Sequence, residues 1–155
     1  MILIAHRGLT EGPNKDLENK PEQIKKSLTE GFDCEVDVWW QDYRWFLGHD
    51  APTYEVDYEF LRQPGLWIHA KNVNALYVLS ADPTLNYFWH QNDDFTLTSQ
   101  GDIWTYPGKD LTQNSVQVLP EWNDPALENI DFNCLGICSD YVSRIRDIMP
   151  NDQNY

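Results

Sequence analysis

The chain has 155 residues, which fits one domain, and 41% of them are hydrophobic, which is enough for a buried core. Its 25 acidic residues outnumber 11 Lys and Arg, and the net charge at pH 7 is −14. A surface this negative repels nucleic-acid phosphates and anionic lipid, which argues against both classes of partner. An anionic substrate would therefore need a metal ion or local Arg and Lys at its site.

The chain start and the cysteines predict a cytoplasmic protein. No segment approaches the ~20 apolar residues that a membrane helix needs. The apolar run 1–5 is followed at once by His6 and Arg7, and it is too short for a signal peptide. The cysteines Cys34, Cys134 and Cys138 are an odd set without framework spacing, which is typical of reduced thiols. The sequence leaves the oligomeric state open.

Short apolar runs along the chain are typical of buried strands. They are Ile2–Ala5, Cys34–Trp39, Leu66–Ala70, Tyr87–Trp89, Ile103–Tyr106, Val116–Leu119 and Leu135–Cys138. Most of them are continuous in apolar residues rather than alternating with polar ones. This pattern favours a parallel sheet that is covered on both faces.

Helical patterns separate some of these runs. The first predicted helix begins at Pro21 and ends at Gly31. The second spans 72–81, with Asn72 as its N-cap. An extra strand or hairpin arm is expected at 43–46. Because strands and helices alternate, the sequence predicts an α/β fold, with a single domain over residues 1–150 and a polar tail over 151–155.

The segment Cys34-Glu-Val-Asp-Val-Trp39 is the most informative one for chemistry. Residues two apart on a strand share a face, so Glu35 and Asp37 point the same way. Two carboxylates on one face of a buried strand are costly unless something neutralises them. A hard divalent cation is a suitable partner, whereas an exposed edge strand with solvated acids is the alternative.

Two of the four histidines follow apolar runs directly. His6 ends the first run, and His49 follows the 43–46 segment. Imidazoles are suited to proton transfer near pH 7. Residues at the carboxyl ends of parallel strands meet at one rim, where His69 and the charged Arg7 and Lys71 can also lie. Arg7 and Lys71 would supply the positive charge that an anionic substrate needs.

Four blocks of sequence together resemble the amino-terminal pattern of the glycerophosphodiester phosphodiesterase family, which reads HRG, EN, ExD and HD. The blocks are Ala5-His-Arg-Gly8, Glu18-Asn19, Glu35-Val-Asp37 and Leu47-Gly-His-Asp50, and they cover residues 4–50. Further on, Ile68-His-Ala-Lys71 falls where the family has Glu-x-Lys. The segment Gly136–Asp140 is similar to the last strand of the family, which usually ends in Thr-Asp.

The resemblance implies a TIM-type (β/α) barrel with a metal-dependent phosphodiesterase site at its carboxyl-terminal rim. A full barrel usually takes ~250 residues, so we expect a compact or trimmed version of mostly parallel strands. Carried over by position, His6 and His49 are the acid–base pair, and Glu35 and Asp37 bind the metal. The residues expected to bind or support substrate are Arg7, Lys71, Glu18, Asn19 and Asp140.

His69 stands where the family has its third metal-binding carboxylate. An imidazole at this position is also a metal ligand, and it shifts preference from Ca²⁺ toward Mn²⁺, Zn²⁺ or similar ions. In the alternative arrangement His69 does not ligate, and water or Asp50 fills the position. We therefore predict a divalent cofactor, Mg²⁺, Mn²⁺ or Ca²⁺, with Zn²⁺ added because of His69.

The predicted function is metal-dependent hydrolysis of a small, glycerophosphodiester-like substrate. One alternative is a catalytically degenerate barrel that binds a phosphorylated metabolite or sugar phosphate. Another is a lyase, in which a substrate hydroxyl attacks and a cyclic phosphate forms. We interpret the seven Trp mainly as packing residues, of which two or three are available to line a pocket, and the segment 89–94 as a loop.

Overall fold

The fold is described from a computed structural model, which covers residues 1–150; the predicted polar tail 151–155 lies outside these residues. Ten strands occur in the order β1 (Ile2–His6), β2 (Asp33–Gln41), β3 (Arg44–Leu47), β4 (Tyr54–Val56), β5 (Leu66–Ala70), β6 (Tyr87–Phe88), β7 (Phe95–Leu97), β8 (Ile103–Thr105), β9 (Ser115–Val118) and β10 (Gly136–Ser139). The helices are α1 (Pro21–Thr29), α2 (Tyr58–Leu61), α3 (Val73–Leu79) and α4 (Val142–Ile148), and a 3₁₀ turn spans Pro120–Trp122.

The strands form one curled, mostly parallel sheet. Its main path runs β6-β5-β2-β1-β10-β9-β8-β7, in which only β7 is antiparallel to its neighbour. The far end of β2 continues into an antiparallel extension of β3 and β4. The mixed α/β class and the mostly parallel strands agree with the sequence-based prediction.

The sheet is a half-barrel and not a closed TIM barrel, which corrects the finer part of the prediction. Within residues 1–150, no ladder pairs the outermost strands β6 and β7; the Ser99 N–H donates to the Tyr87 carbonyl oxygen at 2.8 Å across this gap. The strands from β6 to β9 are also joined without α-helices. Their connections are shorter than the dozen or more residues of an ordinary helical crossover, so this side of the barrel is incomplete.

The predicted helices form close to their expected bounds. Helix α1 begins at Pro21, and Gly31 follows its end with φ +89°, a conformation that suits glycine. Helix α3 is capped by Asn72, whose Oδ1 accepts from the Ala75 N–H at 2.9 Å. Strands β4 and β7 and helices α2 and α4, which span three to seven residues, were not predicted from the sequence. No helix among residues 1–150 is long and apolar enough to cross a membrane.

The apolar residues divide between the two faces of the sheet. On the convex face, Val36 and Val38 are packed with side chains of the covering helices, such as Ile24 and Ile145. On the concave face, a smaller cluster gathers Ile4, Trp67, Phe88, Trp104, Val116, Val118, Leu119 and Cys138. Burial on both faces explains why the strands are continuous in apolar residues.

Candidate functional site

The site begins with the pairing of three neighbouring parallel strands. In the register of β1 and β2, His6 lies beside Glu35. In the register of β2 and β5, Asp37 lies beside His69. Because these strands run in the same direction, their carboxyl ends place all four side chains at one edge of the sheet.

Glu35 and Asp37 are almost completely buried, with 2% and 1% of the residue exposed. Glu35 Oε2 accepts from the backbone N–H of Arg7 at 3.1 Å. Asp37 Oδ2 accepts from Asn19 Nδ2 at 2.9 Å, while Asn19 Oδ1 accepts from the Asp37 N–H at 3.0 Å. One oxygen of each carboxylate is thus held by the protein, and the other oxygen is turned toward His69.

His69 bridges the two free carboxylate oxygens. Its Nδ1 lies 3.2 Å from Asp37 Oδ1 and 3.6 Å from Glu35 Oε1. Burial disfavours a charge on this imidazole, but its hydrogen bonds to Asp37 and Glu35 outweigh burial and raise the pKa of His69 to about 9. These three side chains offer ligand atoms that lie within 4.8 Å of one another, a spacing at which they can hold a metal ion.

Two cationic side chains also face Asp37. Lys71 Nζ is 3.5 Å from Oδ1, and Arg7 Nε is 3.2 Å from Oδ2. The Arg7 Nε is buried, and within residues 1–150 it forms this ion pair with Asp37 and no hydrogen bond. Burial would raise the pKa of Asp37, but the hydrogen bond with His69 and the charges of His69, Arg7 and Lys71 lower it well below the ordinary value.

The loop after β1 is strained where it brings Arg7 to the site. Arg7 has φ +53° and Asn19 has φ +59°, a region that side chains other than glycine rarely occupy. The Asn19 N–H donates to the Arg7 carbonyl at 3.0 Å, and Arg7 Nη1 donates to Glu18 Oε2 at 3.0 Å. The Glu18-Asn19 block therefore holds both the backbone and the guanidinium of Arg7.

His6 is oriented by a carboxylate from the far end of the chain. Its Nδ1 is 2.8 Å from Asp140 Oδ1, and its Nε2 is 3.9 Å from Glu35 Oε2. Burial disfavours the charged ring, but the hydrogen bond with Asp140 and the charge of Glu35 prevail and raise the pKa of His6. The Asp140 N–H in turn donates to Glu121 Oε1 at 2.9 Å.

His49 has the same kind of partner in a different environment. Its Nδ1 is 2.8 Å from Asp50 Oδ1, and both side chains are exposed, by 36% and 77%. In both histidines Nδ1 is therefore occupied by a carboxylate. The other ring nitrogen, Nε2, remains free for proton transfer at the cavity that both residues line.

These residues line a cavity of about 140 Å³. One wall, the charged wall, consists of His6, Arg7, Glu35, Asp37, His49 and His69. The rest of the lining, the aromatic wall, consists of His90, Gln91, Trp104, Tyr106, Pro107, Val118, Leu119 and Trp122. The structure thus brings together the predicted acid–base pair, the predicted metal ligands and the predicted phosphate-binding Arg7.

The other expected substrate-binding residues lie behind the charged wall. Asn19 is fully buried, and both atoms of its amide are bonded to Asp37, so it orients the carboxylate. Asp140 is 7% exposed and contacts His6. Glu18 contacts Arg7, and Lys71 contacts Asp37. For Asn19 and Asp140, this geometry favours a positioning role in place of direct contact with substrate.

The sequence allowed two or three Trp to line a pocket and placed a loop at 89–94, but it assigned neither the residues of the aromatic wall nor the support of His69 by this loop. The His90 carbonyl accepts from His69 Nε2 at 2.9 Å, and Phe88 stacks on the imidazole with centroids 5.0 Å apart. His90 and Trp122 follow closely on predicted strands, and Tyr106 is the last residue of the strand predicted over 103–106. The rule that ligand-binding residues follow strand ends was the available signal for these three.

The chain matches no known protein family model, and no curated protein is similar to it.

Proposed function

We propose that this protein hydrolyses a small phosphodiester with the help of a divalent metal ion. The observation that carries this proposal is the meeting of three metal-ligand atoms, an arginine and two carboxylate-bound imidazoles at one cavity. The resemblance of the 4–50 segment to glycerophosphodiester phosphodiesterases agrees with this chemistry. That resemblance also makes a glycerophosphodiester-like compound the first substrate to test.

The donor atoms fit a divalent cation. Glu35 Oε1, Asp37 Oδ1 and His69 Nδ1 face one another, and the opposite ends of the two carboxylates are fixed by Arg7 N–H and Asn19. Carboxylate oxygens and an imidazole nitrogen are ordinary ligands of Mn²⁺ and Zn²⁺, and the carboxylates also suit Mg²⁺. When bound, such an ion polarises a phosphoryl oxygen and stabilises the negative charge that grows during cleavage.

Arg7 supplies the remaining positive charge at the cavity, and Lys71 adds to it from behind Asp37. Arg7 lines the cavity directly, and its buried Nε has a free hydrogen-bonding capacity. Lys71 Nζ lies on the same side of Asp37 as His69. Preorganised cations aimed at the non-bridging oxygens need no reorganisation when the transition state forms, which is why they lower the barrier.

The two histidines transfer the protons. One takes a proton from the attacking water, and the other gives a proton to the departing alkoxide. His6 is flanked by Asp140 and Glu35, which stabilise its imidazolium form and favour the donor role. His49 is more exposed, and it is therefore better placed to meet water.

The aromatic wall restricts the alcohol part of the substrate. Leu119 and Trp104 are buried there, while Trp122 is 62% exposed at its outer edge. None of the residues that line this wall is Lys or Arg, so it offers no partner for a second anionic group. A cavity of about 140 Å³ also limits the enclosed part of the ligand to a phosphate and a few more atoms. We therefore propose a phosphodiester of a small alcohol that carries no anionic group.

A second function is favoured by one observation: Asp37 is in contact with three cationic side chains, Arg7, His69 and Lys71. A cluster neutralised in this way can bind a phosphorylated metabolite or sugar phosphate without cleaving it. In this alternative Arg7 and His69 hold the phosphate, Lys71 adds positive charge from behind Asp37, and catalysis is absent because the third carboxylate is replaced by His69.

A panel of small phosphodiesters, assayed with Mg²⁺, Mn²⁺, Ca²⁺, Zn²⁺ or EDTA, tests the proposal. Products are identified by phosphorus NMR, and His49→Ala serves as the control for contaminating activity. Metal-dependent release of a phosphomonoester that is lost in His49→Ala supports hydrolysis. A cyclic phosphate product indicates lyase chemistry. Binding of phosphate compounds without metal-dependent cleavage of any panel member would overturn the proposal in favour of the binding function.

A further inference from the structure

His69 is held in one orientation by contacts on three sides. Its Nε2 lies 2.9 Å from the carbonyl oxygen of His90, and a carbonyl only accepts, so the hydrogen of this bond is on Nε2. Phe88 stacks on the ring face with an interplanar angle of 12°. The remaining nitrogen, Nδ1, is directed between Asp37 and Glu35. With Nε2 committed to this bond, Nδ1 is the nitrogen that faces the two carboxylates, and it is the one that would release its proton when a metal ion binds.

This arrangement matches a metal-binding histidine. Such residues almost always donate their second N–H to a carbonyl or carboxylate, which fixes the tautomer and the direction of the ring. Here the partner is the backbone carbonyl of His90, which belongs to a loop outside strand β2, the strand that carries both carboxylates. A third carboxylate would be a hard oxygen ligand, whereas the imidazole is a borderline nitrogen ligand.

We propose that His69 makes this site selective for a borderline transition-metal ion, Zn²⁺ or Mn²⁺, over Mg²⁺ and Ca²⁺, by ligating the ion through Nδ1. The inference rests on the metal-binding part of the proposed function and names the class of ion that the site takes. The loop 89–94 contributes to this selectivity, because the His90 carbonyl keeps the hydrogen on Nε2 and leaves Nδ1 as the nitrogen that a metal ion can reach.

The test compares wild type with His69→Glu and His69→Gln. Any site of this kind binds Zn²⁺ more tightly than Mg²⁺, so the decisive quantity is the change in the Zn²⁺ to Mg²⁺ affinity ratio, measured by competition with a chromophoric chelator. We expect His69→Glu to lower this ratio at least about tenfold. We expect His69→Gln to lower the affinity for Zn²⁺ at least about tenfold. An unchanged ratio in His69→Glu would overturn the inference, whether or not cleavage occurs.

A measurement on wild type alone covers the case in which the variants fail to fold. Long-range ¹H–¹⁵N correlation spectra report the state of each ring nitrogen during titration with Zn²⁺. The Nδ1 resonance of His69 should move to the position of a metal-bound nitrogen while Nε2 stays protonated. His6 is the internal control, because its Nδ1 is occupied by Asp140. Coordination through Nε2, or no coordination of His69 at a saturating Zn²⁺ concentration, contradicts the inference.

The outcomes separate this inference from the phosphodiesterase proposal. Zn²⁺ bound through His69 Nδ1, without cleavage of any diester, leaves the inference standing and removes the enzymatic function. Cleavage supported by Mg²⁺, together with a Zn²⁺ to Mg²⁺ ratio that does not depend on residue 69, leaves the function standing and removes the inference.

Discussion

The two halves of the sheet place buried carboxylates in opposite environments. Asp37 in the amino-terminal half (residues 1–79) faces Arg7, Lys71 and His69, and these neighbours keep its pKa low. Glu121 in the carboxy-terminal half (residues 80–150) accepts hydrogen bonds from the neutral Ser139 hydroxyl and the Asp140 N–H. Burial outweighs these bonds and raises the pKa of Glu121.

This difference reflects the distinct contributions of the two halves to the cavity. The amino-terminal half has α1 and α3 packed behind β2, and it supplies most of the charged wall. The carboxy-terminal half has strands without α-helices from β6 to β9, and it supplies the aromatic wall. Binding of charge therefore depends on the first half, whereas the shape of the ligand depends on the second.

The largest effect is expected for Asp37→Asn. Removing the carboxylate leaves Arg7, Lys71 and His69 close together without their shared counter-charge. Breaking a buried ion pair in this way typically costs about 3–5 kcal/mol, to be measured as the free energy of unfolding in urea. Asp42→Asn, in the exposed turn after β2, is the matched control and should stay within about 0.5 kcal/mol of wild type. Equal effects of the two variants would contradict a special electrostatic role for Asp37.

The next effect concerns turnover. We expect His6→Ala and His49→Ala each to lower kcat by at least about 10²-fold, which corresponds to roughly 2.7 kcal/mol, because each removes a proton-transfer group. Thermal unfolding checks that the fold is intact. The exposed His49 side chain should be removable without loss of stability. A variant with near-wild-type turnover would remove its histidine from the mechanism.

A smaller effect is expected on the aromatic wall. Trp122→Ala should raise KM about fivefold with little change in kcat, equivalent to roughly 1 kcal/mol of lost contact with the alcohol group. Tyr43→Ala is the control, since Tyr43 is 91% exposed on the β2–β3 turn and is not part of the cavity lining. If kcat falls instead of KM rising, Trp122 belongs with the charged wall and the division between the two halves fails.

The smallest effect is expected for Glu121→Gln, and it should depend on pH. The folded-state pKa of Glu121 is raised, so its contribution to stability is fully present below the ordinary glutamate pKa and is lost as the pH rises through the folded-state value. Glutamine accepts the same hydrogen bonds without a charge. The stability of the variant relative to wild type should therefore increase between about pH 4 and 7, as measured by urea unfolding. A constant difference over this range would show that Glu121 is not destabilised by burial.

Much of the amino-terminal half was predictable because its signals are local. Alternation along β2 places Glu35 and Asp37 on one face, and the strand ends place His6 and His69 beside them. Asn72 caps α3 as its sequence context indicates. The continuous apolar runs predict a sheet that is covered on both faces.

The rest could not be predicted, because it depends on chain segments that meet only in the folded protein. Asp140 reaches His6 across 134 residues, and the His90 carbonyl reaches His69 from a loop without regular structure. The open side between β6 and β7 and the aromatic wall depend on the paths of connections that carry no helical periodicity. The sequence by itself therefore determined the charged residues and the strands that carry them. Only the tertiary structure decided which nitrogen of each histidine is free, because hydrogen-bond partners are set by three-dimensional packing and not by spacing along the chain.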